Sequence, residues 1–272
     1  DKIIRVYFIE RMKKMKKKFL NNISKIFVST VFTTSVAFSA LSVDVLAARK
    51  KTETHELNDT ISYTYKDVDM NGKFDTLIIE GDGPIPSLAN DVLPWSSERH
   101  NIVEVIIEDG VKSIADACFY QFDYLREVSI PSSVKFIGEG AFFKCSRLES
   151  ISLPSSIQSI EPNTFGGCYE LKTITIPKNV TEIKNSAFTY CTELESIKFA
   201  GDDIEIIGSM AFGGSGLKEI KIPGSVKRIK EGAFMDCKEL KSVVIPESVE
   251  KIENDAFHNC PALREVEFDC RT

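Results

Sequence analysis

The segment LKEIKIPGSVKRIKEGAFMDCKE at 217–239 decides the fold, because it is one copy of a unit that recurs without a gap. Its neighbours LREVSIPSSVKFIGEGAFFKCSR (125–147) and LKSVVIPESVEKIENDAFHNCPA (240–262) match it at every apolar position. Leucines fall at 125, 148, 171, 194, 217, 240 and 263, each 23 residues after the last. An earlier copy, IVEVIIEDGVKSIADACFYQFDY (102–124), opens on Ile102 and carries Asp109-Gly110 where the others have a proline turn. Seven full units and a half unit (263–272) thus share one register. Self-similarity at a period of 20–50 residues marks a stacked architecture, in which one unit cannot bury its own apolar face.

Within L-x-x-I-x-I the last two apolar residues alternate with polar ones, the period of a half-buried strand, and the following proline ends it because it cannot donate to a ladder. Val, then Ile three residues on, then Ala-Phe must turn inward again and close the core from the other side. Strands are expected at 125–130, 148–153, 171–176, 194–199, 217–222, 240–245 and 263–268, forming one continuous parallel sheet. Phe119, Phe142, Phe165, Phe188, Phe212, Phe234 and Phe257 are expected to stack as a spine. A 23-residue coil leaves room on its far side only for short 3₁₀ or helical turns near G-E-G-A-F. The unit 194–216 is irregular: Ala200 replaces the proline, a residue enters at AGDD, and F-x-x-C-x-x shrinks to FGGSG. Insertion and deletion cancel, so the site is read as tolerated loop variation, with a local binding feature as the alternative.

This unit resembles the leucine-rich repeats of the BspA-like bacterial surface proteins, with L-x-x-I-x-I-P, then V-x-x-I-G, then A-F-x-x-C over about 102–268. It lacks the Asn that commoner leucine-rich repeats carry after the strand; Ser133, Ser156, Asn179, Ser225 and Ser248 stand there instead. The upstream LIIEGDG and Pro94-Trp95 look like the family's lead-in. The resemblance implies a β-rich leucine-rich-repeat solenoid with one parallel strand per coil and an N-terminal β-hairpin cap. It also implies a secreted or cell-surface protein used in adhesion or in binding other proteins.

Upstream of the repeats the chain changes character. RMKKMKKKFLNNISK (11–25) is basic, Ile26 to Val43 carries no charge, and Val45-Leu46-Ala47-Ala48 offers small residues for cleavage after Ala47. These are the parts of a secretory signal peptide. A retained membrane anchor is the alternative, but seven of those 18 uncharged residues are Ser or Thr, which makes the segment only mildly apolar. Met12 or Met15 is a more natural start than Asp1, which would place residues 1–11 outside the translated chain. The expected organisation is a leader and signal peptide (1–47), a linker and β-hairpin capping region (48–101) and a solenoid of seven coils plus a half coil (102–272). Without a sorting motif or an apolar tail, the chain is expected to be either freely secreted or part of a longer protein.

Cleavage would convert a formal charge of −6 into −12, with 25 basic and 37 acidic residues remaining. That balance excludes a general attraction to phosphate backbones, so no nucleic-acid partner is expected, nor membrane insertion of the mature chain. Seven cysteines are too few for a disulfide scaffold of this length. Five of them, Cys145, Cys168, Cys191, Cys237 and Cys260, share one repeat position, where parallel Cβ vectors disfavour disulfides and a line of ligands cannot converge on zinc. They are expected to be buried free thiols. Cys118 replaces the Ala of its unit, and Cys270 is the candidate exposed thiol.

Asp67, Asp69, Asn71 and Asp75 have the opening spacing of a calcium loop, with Gly72 at the turn, but Ile78 stands where the bidentate Glu belongs. The flanks alternate as strands and Asn71-Gly72 is a hairpin signal, so a plain hairpin is preferred and any calcium is expected to bind weakly. No cofactor is otherwise expected. His55, His100 and His258 lie in unrelated contexts, and no nucleophile elbow, zinc helix or phosphate loop occurs, so the chain is not read as an enzyme. The residue after each spine Phe varies freely (Tyr120, Phe143, Gly166, Thr189, Gly213, Met235, His258) and is read as surface variation.

What remains for function is the exposed face of the sheet: Glu127, Ser129, Ser150, Ser152, Thr173, Thr175, Ser196, Lys198, Glu219, Lys221 and Ser242. Solenoids use such extended surfaces for binding, and the expected partner is an extracellular protein or glycoprotein. A structural spacer or surface-coat module without a specific ligand is the alternative, because the face has none of the aromatic or Arg residues that dominate hot spots.

Overall fold

The computed structural model describes residues 52–68, 72–87 and 93–269. The chain divides into two units, Asp1–Lys50 and Lys51–Thr272; the described residues belong to the second, and the expected signal peptide lies outside them. The lead-in supplies β1 (Thr52–Glu56), β2 (Ile61–Lys66), β3 (Thr76–Gly81) and the short β4 (Gly83–Pro84). The coils follow with β5 (Glu104–Ile107), β6 (Val111–Ile114), β7 (Glu127–Ser129), β8 (Phe136–Ile137), β9 (Ser159–Ile160), β10 (Thr173–Ile176) and β11 (Glu182–Ile183). They continue through β12 (Ser196–Phe199), β13 (Ile206–Ile207), β14 (Glu219–Lys221), β15 (Arg228–Ile229), β16 (Ser242–Pro246), β17 (Lys251–Ile252) and β18 (Glu265–Asp269).

Each coil carries up to two strands, one from L-x-x-I-x-I and a shorter one ending on the Ile of V-x-x-I. The front strands pair in parallel at a shift of one unit, as in Glu104↔Glu127, Thr173↔Ser196 and Ser242↔Glu265. The shorter strands build a second ladder that the one-sheet expectation did not contain, β9-β11-β13-β15-β17. Its pairs Glu182↔Ile206 and then Ile206↔Arg228 record the inserted residue and its later loss.

The front sheet itself is not continuous. Its ladders are β3-β5-β7, β10-β12 and β14-β16-β18, and 148–153 enters none of them, keeping to the next coil the Lys172 N–H to Glu149 O bond at 3.3 Å. In that coil Ser150 and Ser152 stand where the next coil has Thr173 and Thr175, whose branched side chains favour the pleated backbone. Between β12 and β14 the cause is the insertion. A Cβ on Gly201 would come within 2.7 Å of the Lys178 Cα, so the extra turn presses on the coil before it, and Ile222 N–H donates forward to Val244 O at 3.0 Å.

On the far side no coil carries a helix among the described residues, and the hydrogen bonds explain why. Ala141, Phe143 and Cys145 donate to the residue three before, while Gly140, Phe142 and Lys144 donate to Pro162, Thr164 and Gly166 of the next coil. Alternate N–H groups therefore serve the turn and the stack, which no helix allows. Two residues per coil take left-handed φ to achieve this, for example Gly140 (φ 59) with Lys144 (φ 59) and Ser186 (φ 56) with Tyr190 (φ 56). Such φ values are uncommon for residues other than glycine and are held by the surrounding stack.

The core is the expected column of rings. Phe119, Phe142, Phe165, Phe188, Phe212 and Phe234 are fully buried, and successive centroids from Phe119 to Phe257 lie 5.1–5.6 Å apart with planes within 19°. At the N-terminal end Trp95 continues the column, 6.3 Å from Phe119, and donates Nε1–H to Cys118 O at 3.0 Å. The antiparallel hairpin β2–β3 adds β3 to the first coil in parallel through Leu77↔Val105 and Ile79↔Ile107. Among the described residues the cysteines are free, and all but Cys260 are fully enclosed. They are more than small hydrophobes: Cys145, Cys168, Cys191, Cys237 and Cys260 each donate S–H to the spine Phe carbonyl one coil back, at 3.1–3.2 Å. The column after the proline is used the same way. Ser225 Oγ donates to Ile204 O at 2.6 Å, Asn179 Nδ2 to Ser155 O at 2.8 Å, and Ser156 Oγ to Val134 O.

Candidate binding surfaces

Alternation along β7, β10, β14 and β16 buries Val128, Ile174, Ile220 and Val243 and turns the residues between them outward. Glu127, Ser129, Ser150, Ser152, Thr173, Thr175, Ser196, Lys198, Glu219 and Lys221 are all exposed on that face, and Ser242 is half-buried. The ladder sets Thr173 beside Ser196 and Thr175 beside Lys198, then Glu219 beside Ser242 and Lys221 beside Val244. The side chains thus grade from hydroxyls in the middle coils to charges in the later ones.

Both interruptions of the sheet open cavities on this face. One of about 650 Å³ lies between β12 and β14, lined by Ser196, Lys198, Asp202, Glu219, Lys221 and Ser242. Another, of about 570 Å³, is lined by Ser150, Ser152, Ser155, Thr175, Lys178 and Ala200. Among the described residues Lys198 has no ion-pair partner, whereas Lys221 Nζ lies 3.4 Å from Asp269 Oδ2. Towards the N-terminal end the face is acidic: burial, then the Glu127 carboxylate one coil on, pushes the Glu104 carboxyl up. Along the sheet margin, cross-coil pairs such as Arg126–Glu149 (2.9 Å) and Lys218–Glu195 (2.7 Å) neutralise each other. Exposed pairs of this kind contribute about 0–1 kcal/mol each, so they tune charge more than stability.

The calcium-loop residues fall elsewhere. Asp69 and Asn71 are outside the described residues. Asp67 Oδ2 accepts the Gly72 N–H at 2.9 Å, and both Asp75 oxygens accept the Val68 N–H at 3.1 Å. These carboxylates therefore hold the turn of the β2–β3 hairpin.

The structure also gathers residues whose scatter along the sequence gives no site. On the turn side, Tyr120 and Phe143 stack at 5.7 Å with planes 11° apart. They line a cavity of about 380 Å³ together with Asp116, Glu139 and Asn163. The signal lies in the column after the spine Phe, where Tyr120 and Phe143 are consecutive members. Two rings in consecutive copies of one column must become neighbours in a stack.

No curated protein sequence matches the chain. Among solved structures, a leucine-rich repeat protein from Eubacterium ventriosum is 24% identical, with a TM-score of 0.50, over 80% of this chain and 72% of that one. A leucine-rich repeat protein from Bacteroides ovatus is 23% identical, with a TM-score of 0.49, over 78% of this chain and 70% of the other. A leucine rich cell surface protein from Faecalibacterium prausnitzii is 24% identical, with a TM-score of 0.47, over 81% of this chain and 78% of that one. The first of these likenesses supports the fold. The sequence pattern described as BspA type leucine rich repeat region (6 copies) matches residues 97–215 and 158–272, which together span more than half of the chain. With the 23-residue register, the parallel ladders and the ring column already in place, the chain belongs to the BspA-type leucine-rich repeat family.

Proposed function

We propose that the protein is a secreted or surface-held binding solenoid that recognises an extracellular protein or glycoprotein, in adhesion, through the exposed face of its front sheet. The observation that carries this reading is the coincidence of that face with the two cavities where the ladder is interrupted, one of them holding Lys198 and Lys221 side by side. A solenoid offers area rather than a deep pocket, and the open hydroxyl and lysine groups there suit hydrogen-bonding and acidic partners. Membership of a family with cell-surface relatives supports an extracellular location, as does the basic and then uncharged leader. Among the described residues no helix is long and apolar enough to cross a membrane.

The test is the double variant Lys198→Glu with Lys221→Glu, measured against a partner captured from matrix or cell-surface proteins. Reversal of both charges is expected to weaken binding at least about tenfold, a change of about 1.4 kcal/mol, with the circular dichroism spectrum unchanged. Unchanged affinity would remove the sheet face as the site. The second reading, a spacer module without a ligand, draws on the lack of aromatic and Arg residues on this face. It predicts that capture recovers nothing above background.

A further inference from the structure

The cavity on the turn side is distinct from the sheet face and carries a different chemistry. Tyr120 is 38% exposed, and its ring stacks on Phe143. Phe143 in turn lies over Gly166, where an added Cβ would come within 2.9 Å of the ring, so the next coil leaves room for the aromatic platform. Beside the platform stand two carboxylates. Asp116 Oδ1 accepts the Glu139 N–H at 2.8 Å, which fixes its direction, and both acids are exposed. Neither forms an ion pair among the described residues. Lys144 Nζ lies 5.5 Å from the Phe143 ring centre, so the Phe143 ring has a cation from its own chain while Tyr120 has none.

We propose that Asp116, Tyr120 and Glu139 form a recognition site for an arginine side chain of a basic partner protein. An arginine suits the site better than a lysine, because its planar guanidinium stacks on a ring while its fork of N–H donors meets carboxylates. The chain itself shows the ring contact nearby: the Arg147 guanidinium lies 4.3 Å from the Tyr124 ring centre. Charge complementarity points the same way, since the protein is acidic overall and the cavity has two uncompensated acids. Asn163, at the cavity wall, supplies an amide that can accept a further N–H.

The experiment is a titration of the ¹⁵N-labelled protein with the blocked tripeptide Gly-Arg-Gly, followed by amide shifts, with Gly-Glu-Gly and a neutral trisaccharide as comparators. Saturable shifts are expected at 116–120, 139–140 and 163 with the arginine peptide, and weaker or absent ones with the other two. Tyr120→Ala and Glu139→Gln are each expected to weaken binding about two- to fivefold, the scale of an exposed cation–π contact or ion pair. Tyr120→Phe, which keeps the ring, is expected to bind as the original does. Shifts spread over the whole acidic surface would overturn the proposal. So would equal affinity of Glu139→Gln, or a trisaccharide that saturates the same amides more tightly than the peptide. Because these residues lie outside the front sheet, failure here leaves the sheet-face reading untouched, and the charge-reversal pair there leaves this site intact.

Discussion

Truncating the middle of the ring column, Phe165→Ala, is the sharpest test of how this solenoid is held together. The ring is fully buried, with stacked neighbours at 5.6 Å (Phe142) and 5.4 Å (Phe188), both nearly parallel to it. Loss of a buried Phe costs about 3–5 kcal/mol through lost transfer energy and the cavity left behind, and here the flanking coils are held by their own inter-coil hydrogen bonds and cannot collapse into it. Each stacked pair adds about 0.5–1.5 kcal/mol beyond area, so the upper half of the range, about 4–5 kcal/mol, is expected. The control is Phe257→Ala, whose ring is half-buried and has one ring neighbour among the described residues, Phe234 at 5.1 Å, for an expected cost of about 1.5–2.5 kcal/mol. Urea unfolding would be followed by far-ultraviolet circular dichroism and by the fluorescence of Trp95, which sits on the first ring of the column. Because each coil contacts only its neighbours, Phe257→Ala should lower the circular dichroism midpoint more than the Trp95 midpoint, whereas Phe165→Ala should lower both. Equal costs for the two variants, or a cost below about 1 kcal/mol for Phe165→Ala, would refute the column as the main source of stability.

Two further outcomes follow from burial and charge. Thiol labelling of the native protein, mapped by mass spectrometry, should modify Cys260 well before Cys145, Cys168 or Cys191. Cys260 is half-buried, whereas burial raises the other three thiols, Cys191 to about 12; prompt labelling of two or more of the stacked thiols would contradict the packing described. Glu104→Gln should stabilise the protein at pH 7, with the gain fading as pH falls below the ordinary carboxylate range. The folded carboxyl is raised, so ionisation favours the unfolded chain once pH exceeds its unfolded value; thermal melts at pH 3.5 and pH 7 check the sign, and a larger gain at the acid end would reverse it.

The 23-residue spacing made the coil, the ring column and the cancelling insertion legible, because each depends only on which residues recur. Phe188 to Phe212 and then Phe212 to Phe234 show the long and short steps directly in the column. The interruptions of the front sheet were not legible. They depend on backbone pairing, where Ser150 and Thr173 look equivalent in polarity but differ in how they favour a strand. The left-handed positions were hidden as well, since Ala117, Gln121, Lys144, Met210 and Tyr190 occupy them as readily as glycine does. Only the inter-coil hydrogen bonds reveal why. The burial of the cysteine column is legible in its repeat position, whereas its thiol donors to the preceding Phe carbonyls depend on how far one coil is shifted on the next. For the candidate surfaces, alternation alone put the sheet-face residues outward, while the ring and carboxylate cluster required treating one repeat column as a row of neighbours in space.

Hydrogen–deuterium exchange of the protein with and without its captured partner tests the central functional claim most directly. Protection is expected to concentrate at 127–129, 150–152, 173–175, 196–198 and 219–221, on both sides of the interrupted ladders. Protection confined to the turn side, or none at a saturating concentration of partner, would contradict it.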